Sequence, residues 1–256
     1  MPFASLVFSL QTKTTSYIFR ITKCGHPEHI YYGRRLEELD ADALALKNNI
    51  TLGSQVEYSP EMPNYSLDSS LLEYSGVGKG DYRHTPVELI MPDGTFVTDF
   101  AYESHEVREG AFTAEGELPF ATDAECTLIL TLADKKYPAL KLKMHYTIFP
   151  ECDVITRGVA LENGTGEFVY IRKLMSFMMD LPSAEMEMTT LDGAWAKEAH
   201  LTTRPIAPGI FVNDSTTGAS SNRHNPAFLL KARNAGEQFG DVYGFNLIYS
   251  GNHYSA

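Results

Sequence analysis

Residues 140–148 read LKLKMHYTI, so Leu140, Leu142, Met144, Tyr146 and Ile148 share one side of an extended strand, with Lys141, Lys143, His145 and Thr147 on the other. A period of two sends alternate side chains into a core and into water, and a helix cannot satisfy that pattern. The expectation is a strand whose partner, residues 126–132, reaches it through a turn at Asp134, Lys135 and Lys136. His145 then falls on the solvated face and has no catalytic role. The same grammar recurs along the chain: short strands at near-regular spacing, Gly and Pro turns, no βα alternation and no fixed-period repeat. That is the pattern of an antiparallel β sandwich.

In chain order, residues 6–10 predict a first strand, and residues 17–21 and 30–32 flank a turn at 23–27 to give a hairpin. Cys24, His26 and His29 lie within that stretch, but a structural zinc site needs a fourth ligand at readable spacing, so they are read as turn residues and no metal is expected. Residues 36–46 carry apolar positions at 36, 39, 43 and 46, a weak amphipathic helical turn or two. Residues 48–82 predict a long loop pinned by Tyr58, Tyr65, Leu67, Leu71, Leu72 and Tyr74, and long ordered loops tend to be functional. Within it, GVGKGD lacks the ending and the following helix of a phosphate loop; Asp81 and Arg83 read as an ion pair or a loop anchor. Pro92-Asp93-Gly94 predicts a hairpin between residues 87–91 and 96–100, and Asn163-Gly164 predicts another between 154–161 and 168–179, with Met175, Met178 and Met179 as core filling. A last strand at 242–249 ends in a Ser250-Gly251-Asn252 turn.

A net charge of −12 and pI near 5.1 argue against phosphate-backbone or anionic-membrane partners, so no nucleic acid or membrane partner is expected. Three cysteines without a CxxC pair suit reduced thiols in a cytoplasm, and residues 1–15 lack the basic start and long apolar run of a signal peptide. With 256 residues and 43% hydrophobic content, one sandwich domain over residues 1–256 is expected.

The stretch least like an anonymous β protein is LDGAWAKEAHLTTRPIAPGIFVNDSTTGASSNRHNP, residues 191–226, which holds the only tryptophan, Trp195. Asp192, Lys197, Glu198, His200 and Arg204 surround an aromatic plate with charge, an arrangement that grips sugars by stacking and hydrogen bonding. The competing reading is a core plug, since Trp is usually well buried. Asp192, Glu198 and Asp214 supply carboxylates, and Ser220 or Ser221 with His224 and Asp214 could mimic a triad, but no nucleophile elbow accompanies them and acidic loop residues are ordinarily solvated.

Residues 193–195 (GAW), 204–210 (RPIAPGI), 214–230 (DSTTGASSNRHNPAFLL) and 241–252 (DVYGFNLIYSGN) resemble the N-terminal β domain of family 36 α-galactosidases, and the likeness covers nearly the whole chain. The resemblance implies an all-β antiparallel β-supersandwich of the galactose mutarotase type, cut before its last strands and before a (β/α)8 barrel that carries both catalytic carboxylates. It implies no catalytic residue in this chain and no cofactor, a role in walling a site for α-galactosides such as raffinose-type sugars and melibiose, and a homo-oligomer in the full-length protein. In that family the tryptophan of GAW reaches the sugar, a role that falls here on Trp195. An aspartate of the long loop can do likewise, but the matching position is Gln55, and the departure puts that contact in doubt. The alternative is a stand-alone carbohydrate-binding or mutarotase-like module; a purely structural oligomerisation domain is a third reading.

Overall fold

The computed structural model of the protein describes residues 6–46, 53, 55–112, 119–181, 185–220 and 223–256. The chain divides into two compact units, Met1–Phe112 with Ala121–Asp180, and Thr113–Phe120 with Leu181–Ala256. Every strand pairing in both is antiparallel, as the sequence pattern predicts. In the first unit β1 (Val7–Gln11), β2 (Thr15–Ile21) and β3 (Pro27–Arg34) form one sheet. β5 (Phe100–Glu109), β6 (Cys126–Asp134), β7 (Leu140–Phe149) and β8 (Val154–Asn163) form a four-stranded meander, and β4 (Val87–Ile90) pairs with β9 (Tyr170–Leu174). Leu128, Leu130 and Leu132 lie opposite Tyr146, Met144 and Leu142, and these inward faces join Phe8, Phe19 and Leu89 in one core. Such cross-strand pairs fix the register, because a slip of one residue would send every apolar side chain to water. Phe19 stacks between Phe8 at 4.8 Å and Tyr146 at 5.0 Å.

Inside this apolar core sits a charged knot. Glu73, fully buried, accepts hydrogen bonds from Tyr17 Oη, Tyr146 Oη and His29 Nδ1, each at 2.8 Å, and from Arg157 Nη1 at 3.0 Å. The Arg157 guanidinium lies 3.9 Å from the centre of the Tyr146 ring. Burial raises the Glu73 carboxyl, but Arg157, His29 and Tyr17 outweigh it and hold the group below the ordinary carboxylate range. Strands β2, β3, β7 and β8 thus converge on a residue of the long loop. The rest of that loop is held by Arg83, which donates to the carbonyls of Leu67 and Ser70 and pairs with Asp81 at 2.9 Å, the ion pair expected from sequence. Lys79 and Gly80 take positive φ, with the Asp81 N–H on Gly78 O at 3.1 Å, so GVGKGD is a tight turn. Residues 48–52 and 54 of the loop lie outside the described residues.

Several local expectations are corrected. The helix shrinks to α1 (Ala41–Leu44), capped by the Asp40 carboxylate on the Ala43 N–H, because Leu39, Leu44 and Leu46 are exposed and give a longer helix nothing to bury. The turn at residues 91–95 closes as expected, yet residues 96–99 pair with neither β4 nor another strand: the Thr98 N–H bonds to Val77 O and the Asp99 N–H to the Asp134 carboxylate. At Asn163-Gly164 the Gly164 N–H turns back to Ala139 O while the Asn163 side chain takes up Thr165 and Glu167, so β9 leaves for β4 instead of returning along β8. His145 is buried, only 5% exposed, and stacks 3.8 Å from the Phe112 ring opposite the side-chain-free Gly158. Neither of its ring nitrogens has a hydrogen-bond partner, and burial, helped by Lys143 and Arg108, lowers its pKa to about 4. His29 likewise belongs to β3 and the Glu73 knot, not to a turn. Met178 and Met179 pack against the core as expected.

In the second unit β10 (Met186–Ala194), β11 (Lys197–Pro205), β13 (His224–Ala232) and β14 (Val242–Asn246) form a sheet in the order β11-β10-β13-β14, and β12 (Asn213–Ser215) pairs with β15 (His253–Ser255). The residues after the turn at 250–252 therefore join β12, leaving β14 as an edge.

The first unit yields two expected outcomes. Glu73→Ala strands Arg157 and should cost about 3–5 kcal/mol in urea unfolding. Its folded pKa is depressed, so the contribution is present in full above the unfolded value near 4.5 and is lost as pH falls through the folded value. His145 is also depressed: stability present above pH 6.5 is lost progressively as pH falls toward about 4, because the unfolded chain takes the proton first. His145→Leu should flatten the unfolding midpoint across that window, and an unchanged slope would show that the ring is not held neutral.

Candidate functional site

Trp195 and Ala196 form the two-residue tip of the β10–β11 hairpin, closed by the Ala194–Lys197 pair. The indole is 88% exposed, so the core-plug reading fails. Ala196 at φ 60° and Ala199 at φ 58° both take left-handed backbone, which costs an L-residue on the order of 1 kcal/mol. The Glu198 carboxylate secures the tip by accepting the Ala196 N–H at 2.9 Å. Strain of this kind persists where the surroundings impose it, and it clusters at functional sites.

Below the tip, alternate residues of β10 and β11 point the same way and gather polar groups. Asp192 Oδ2 accepts from Thr190 Oγ1 at 2.9 Å and from Arg204 Nη2 at 3.4 Å, and Oδ1 meets His224 Nδ1 at 3.3 Å. Arg204 also reaches Thr190 Oγ1 at 3.2 Å and lies 4.4 Å over the Phe211 ring. Burial raises the Asp192 carboxyl, but Thr202, Thr190, His224 and Arg204 bring it below the usual carboxylate range. An anion held this way is a structural charge, unsuited to give a proton near neutrality.

The GAW motif and the polar loop meet in space. The Gly193 N–H donates to Arg223 O at 3.0 Å, and Asp192 lies opposite His224 across the sheet. The loop is ordered by its own bonds: Gly218 N–H to Asn252 Oδ1 at 2.7 Å, Ser220 N–H to Ser250 O at 2.8 Å, and Asn213 Nδ2 to Asn225 O at 2.8 Å. His224 pairs with Asp192 rather than Asp214, which sits in β12 opposite Tyr254, so the triad arrangement is not formed; Ser221 lies outside the described residues. Sequence reasoning missed the Asp192–His224–Arg204 cluster as a unit. The two-residue spacing of Thr190 with Asp192 and of Thr202 with Arg204 was the readable signal.

Gln55 belongs to the first unit and Trp195 to the second. Gln55 is half-buried in a bend three residues before Tyr58, whose hydroxyl donates to Asp99 Oδ2 at 2.7 Å. Asp99 Oδ1 also meets His26 Nε2 at 3.0 Å, and His26 Nδ1 meets Tyr65 Oη at 3.2 Å, so both tyrosines tie the long loop to the β2–β3 turn. Among the described residues no group of three or more His, Cys, Asp or Glu could hold a metal ion, the three cysteines are free, and no helix is long and apolar enough to cross a membrane.

The glycosyl hydrolase family 36 N-terminal domain matches residues 25–256. The chain is 31% identical over 250 residues to α-galactosidase AgaA of Geobacillus stearothermophilus, covering 96% of this chain and 34% of that protein. It is 34% identical over 252 residues to α-galactosidase Mel36A of Lactobacillus acidophilus, again 96% and 34%. A crystal structure of a Geobacillus stearothermophilus AgaA variant in complex with raffinose superposes with a TM-score of 0.91 at 31% identity, over 97% of this chain and 34% of that one. The chain thus spans about a third of the length of the curated relatives it matches.

The exposure of Trp195 sets a stability test. Trp195→Ala in this chain should shift unfolding by no more than about 0.5 kcal/mol, the usual range for a surface change, whereas a core plug would lose about 3–5 kcal/mol. Thermal unfolding of the two proteins side by side reads the difference.

Proposed function

Because the chain belongs to the glycosyl hydrolase family 36 N-terminal domain family, we propose that it is the accessory domain of a retaining α-galactosidase. In this reading it presents Trp195 to terminal α-galactosides such as raffinose-type sugars and melibiose. The reaction itself runs on two carboxylates of a (β/α)8 barrel outside this chain. The protein works in the cytoplasm as a homo-oligomer, with its thiols reduced. The observation that carries the proposal is Trp195, 88% exposed at a strained hairpin tip instead of buried.

The physical role follows from the chemistry of the two surfaces. A pyranose shows apolar C–H faces edged by hydroxyls, and an indole offers a broad apolar plate with one N–H donor. Covering roughly 60 Å² of such a plate at about 25 cal/mol per Å² contributes about 1.5 kcal/mol, close to tenfold in affinity. Lys197, Glu198 and His200 follow the tip on an exposed strand, where they are open to hydroxyls. Stacking of this kind is present in bound substrate and transition state alike, so it bears on KM more than on kcat. A sugar contact by Gln55 is a separate part of the proposal, argued for the first unit by itself: the long loop carries an amide there where the family can place a carboxylate.

In the whole enzyme, Trp195→Ala should raise KM for raffinose by about tenfold while kcat changes by no more than about twofold. Steady-state kinetics with an unchanged KM would remove Trp195 from the sugar site.

A further inference from the structure

We propose that Asp192 is a positioning residue that aims the Trp195 tip, its carboxylate clamping β10 to β11 and to β13 while Gly193 acts as the hinge it restrains. The aim matters for the sugar only if Trp195 stacks on it, so the functional half of the inference rests on the reading above.

The register carries the argument. Between Thr190 and Asp192 the partner β13 advances four residues, Phe228 to His224, against two of β10, and between Asp192 and Ala194 the partner β11 advances three, His200 to Lys197, against two. Asp192 therefore stands where the ladders on both sides of the strand are interrupted. At such irregularities the ladder loses regular hydrogen bonds and the strand with the extra residues bends, so beside Asp192 the backbone tie from β10 to the segment before β13 is the Gly193 N–H on Arg223 O at 3.0 Å, and pairing alone leaves the direction of the hairpin tip weakly fixed. The next residue is Gly193, which has no Cβ to restrict rotation. Trp195 comes two residues later, on an exposed tip.

The side chain of Asp192 supplies what the ladder lacks. Its Oδ2 takes the Thr190 hydroxyl of its own strand at 2.9 Å and the Arg204 guanidinium of β11 at 3.4 Å. Its Oδ1 takes the His224 ring of β13 at 3.3 Å. Arg204 is itself oriented by Thr190 at 3.2 Å and by the face of Phe211 at 4.4 Å, so the clamp has a stiff arm. These contacts reach both neighbouring strands, and charge-assisted bonds are the stronger kind. A carboxylate is the group that can accept from all of them at once; an amide in its place carries no charge for Arg204 and has one accepting oxygen, so its NH2 must face either the Thr190–Arg204 side or the His224 ring.

Trp195 is the only tryptophan of the chain, so its emission reads the tip alone. Time-resolved fluorescence anisotropy of this 256-residue protein should show the amplitude of fast local depolarisation rising at least about twofold in Asp192→Asn, with Asp192→Glu closer to the parent. If Asp192→Asn does not fold, Thr190→Val and His224→Gln each remove one arm and should give a smaller rise. Unchanged anisotropy in folded Asp192→Asn, or in both single-arm variants, overturns the clamp. In the whole enzyme Asp192→Asn should raise KM for raffinose about fivefold with kcat within about twofold. A freer tip with unchanged KM keeps the clamp and refutes the sugar contact of Trp195, whereas a raised KM without a freer tip refutes the clamp.

Discussion

The first unit depends on one buried carboxylate. Glu73 comes from the long loop, yet its four partners are spread over β2, β3, β7 and β8, so loop and strands must be in place together for any of them to be satisfied. Burying such a group is unfavourable unless it is fully bonded, and a hydrophobic substitute could fill the same space at less cost. What an apolar side chain could not do is choose. Leucines pack against leucines in many registers, but two tyrosines, a histidine and an arginine converge on one carboxylate in a single arrangement. The knot therefore acts as a registry pin for a loop whose described residues hold little regular structure beyond the single 3-10 turn Leu67–Ser69.

The second unit is organised on different terms. Its buried residues are Thr189, Thr190, Asn213, Ser215 and His253, all polar, and none of its described large apolar side chains is buried. Its local order comes from hydrogen bonds such as Ser215 Oγ to Ala219 O at 2.6 Å and Thr189 to Thr203 at 2.8 Å, plus the Asp192 cluster. Hydrogen bonds contribute about 1 kcal/mol each and are directional, where apolar burial is strong and nearly indifferent to direction. For the proposed aiming of Trp195, direction counts for more than burial.

How far the sequence disclosed this depends on what kind of signal each feature leaves. Period-two alternation identified β7 and its pairing with β6, because both strands have one apolar face. It failed at His145, because the outward face at that point is covered by Phe112, and no local pattern announces a cover that arrives from another segment. Turn chemistry located the bends at residues 91–95 and 163–165 but not the partners of the strands that leave them. Pro, Gly and Asn act over four residues, whereas the choice between β8 and β4 as partner for β9 is made by the core. At the candidate site, Trp195 and the polar loop stood out as rare residue types in an unusual density. Their junction through Asp192, Gly193 and residues 223–224 is a cross-strand relation that register alone specifies.

The tip itself shows why an exposed aromatic and a strained backbone occur together. A tryptophan in water at the end of a hairpin gains nothing for the fold, and two alanines in left-handed backbone are a cost to it. Glycine at either position would relieve the strain, but at Ala196 it would loosen the turn that holds the indole and at Ala199 the strand that follows it. The Glu198 bond to the Ala196 N–H and the Asp192 cluster oppose that loosening from the two sides of the hairpin. Local stability is lowered at the tip while orientation is reinforced beneath it, which is the balance expected of a surface arranged in advance for a ligand.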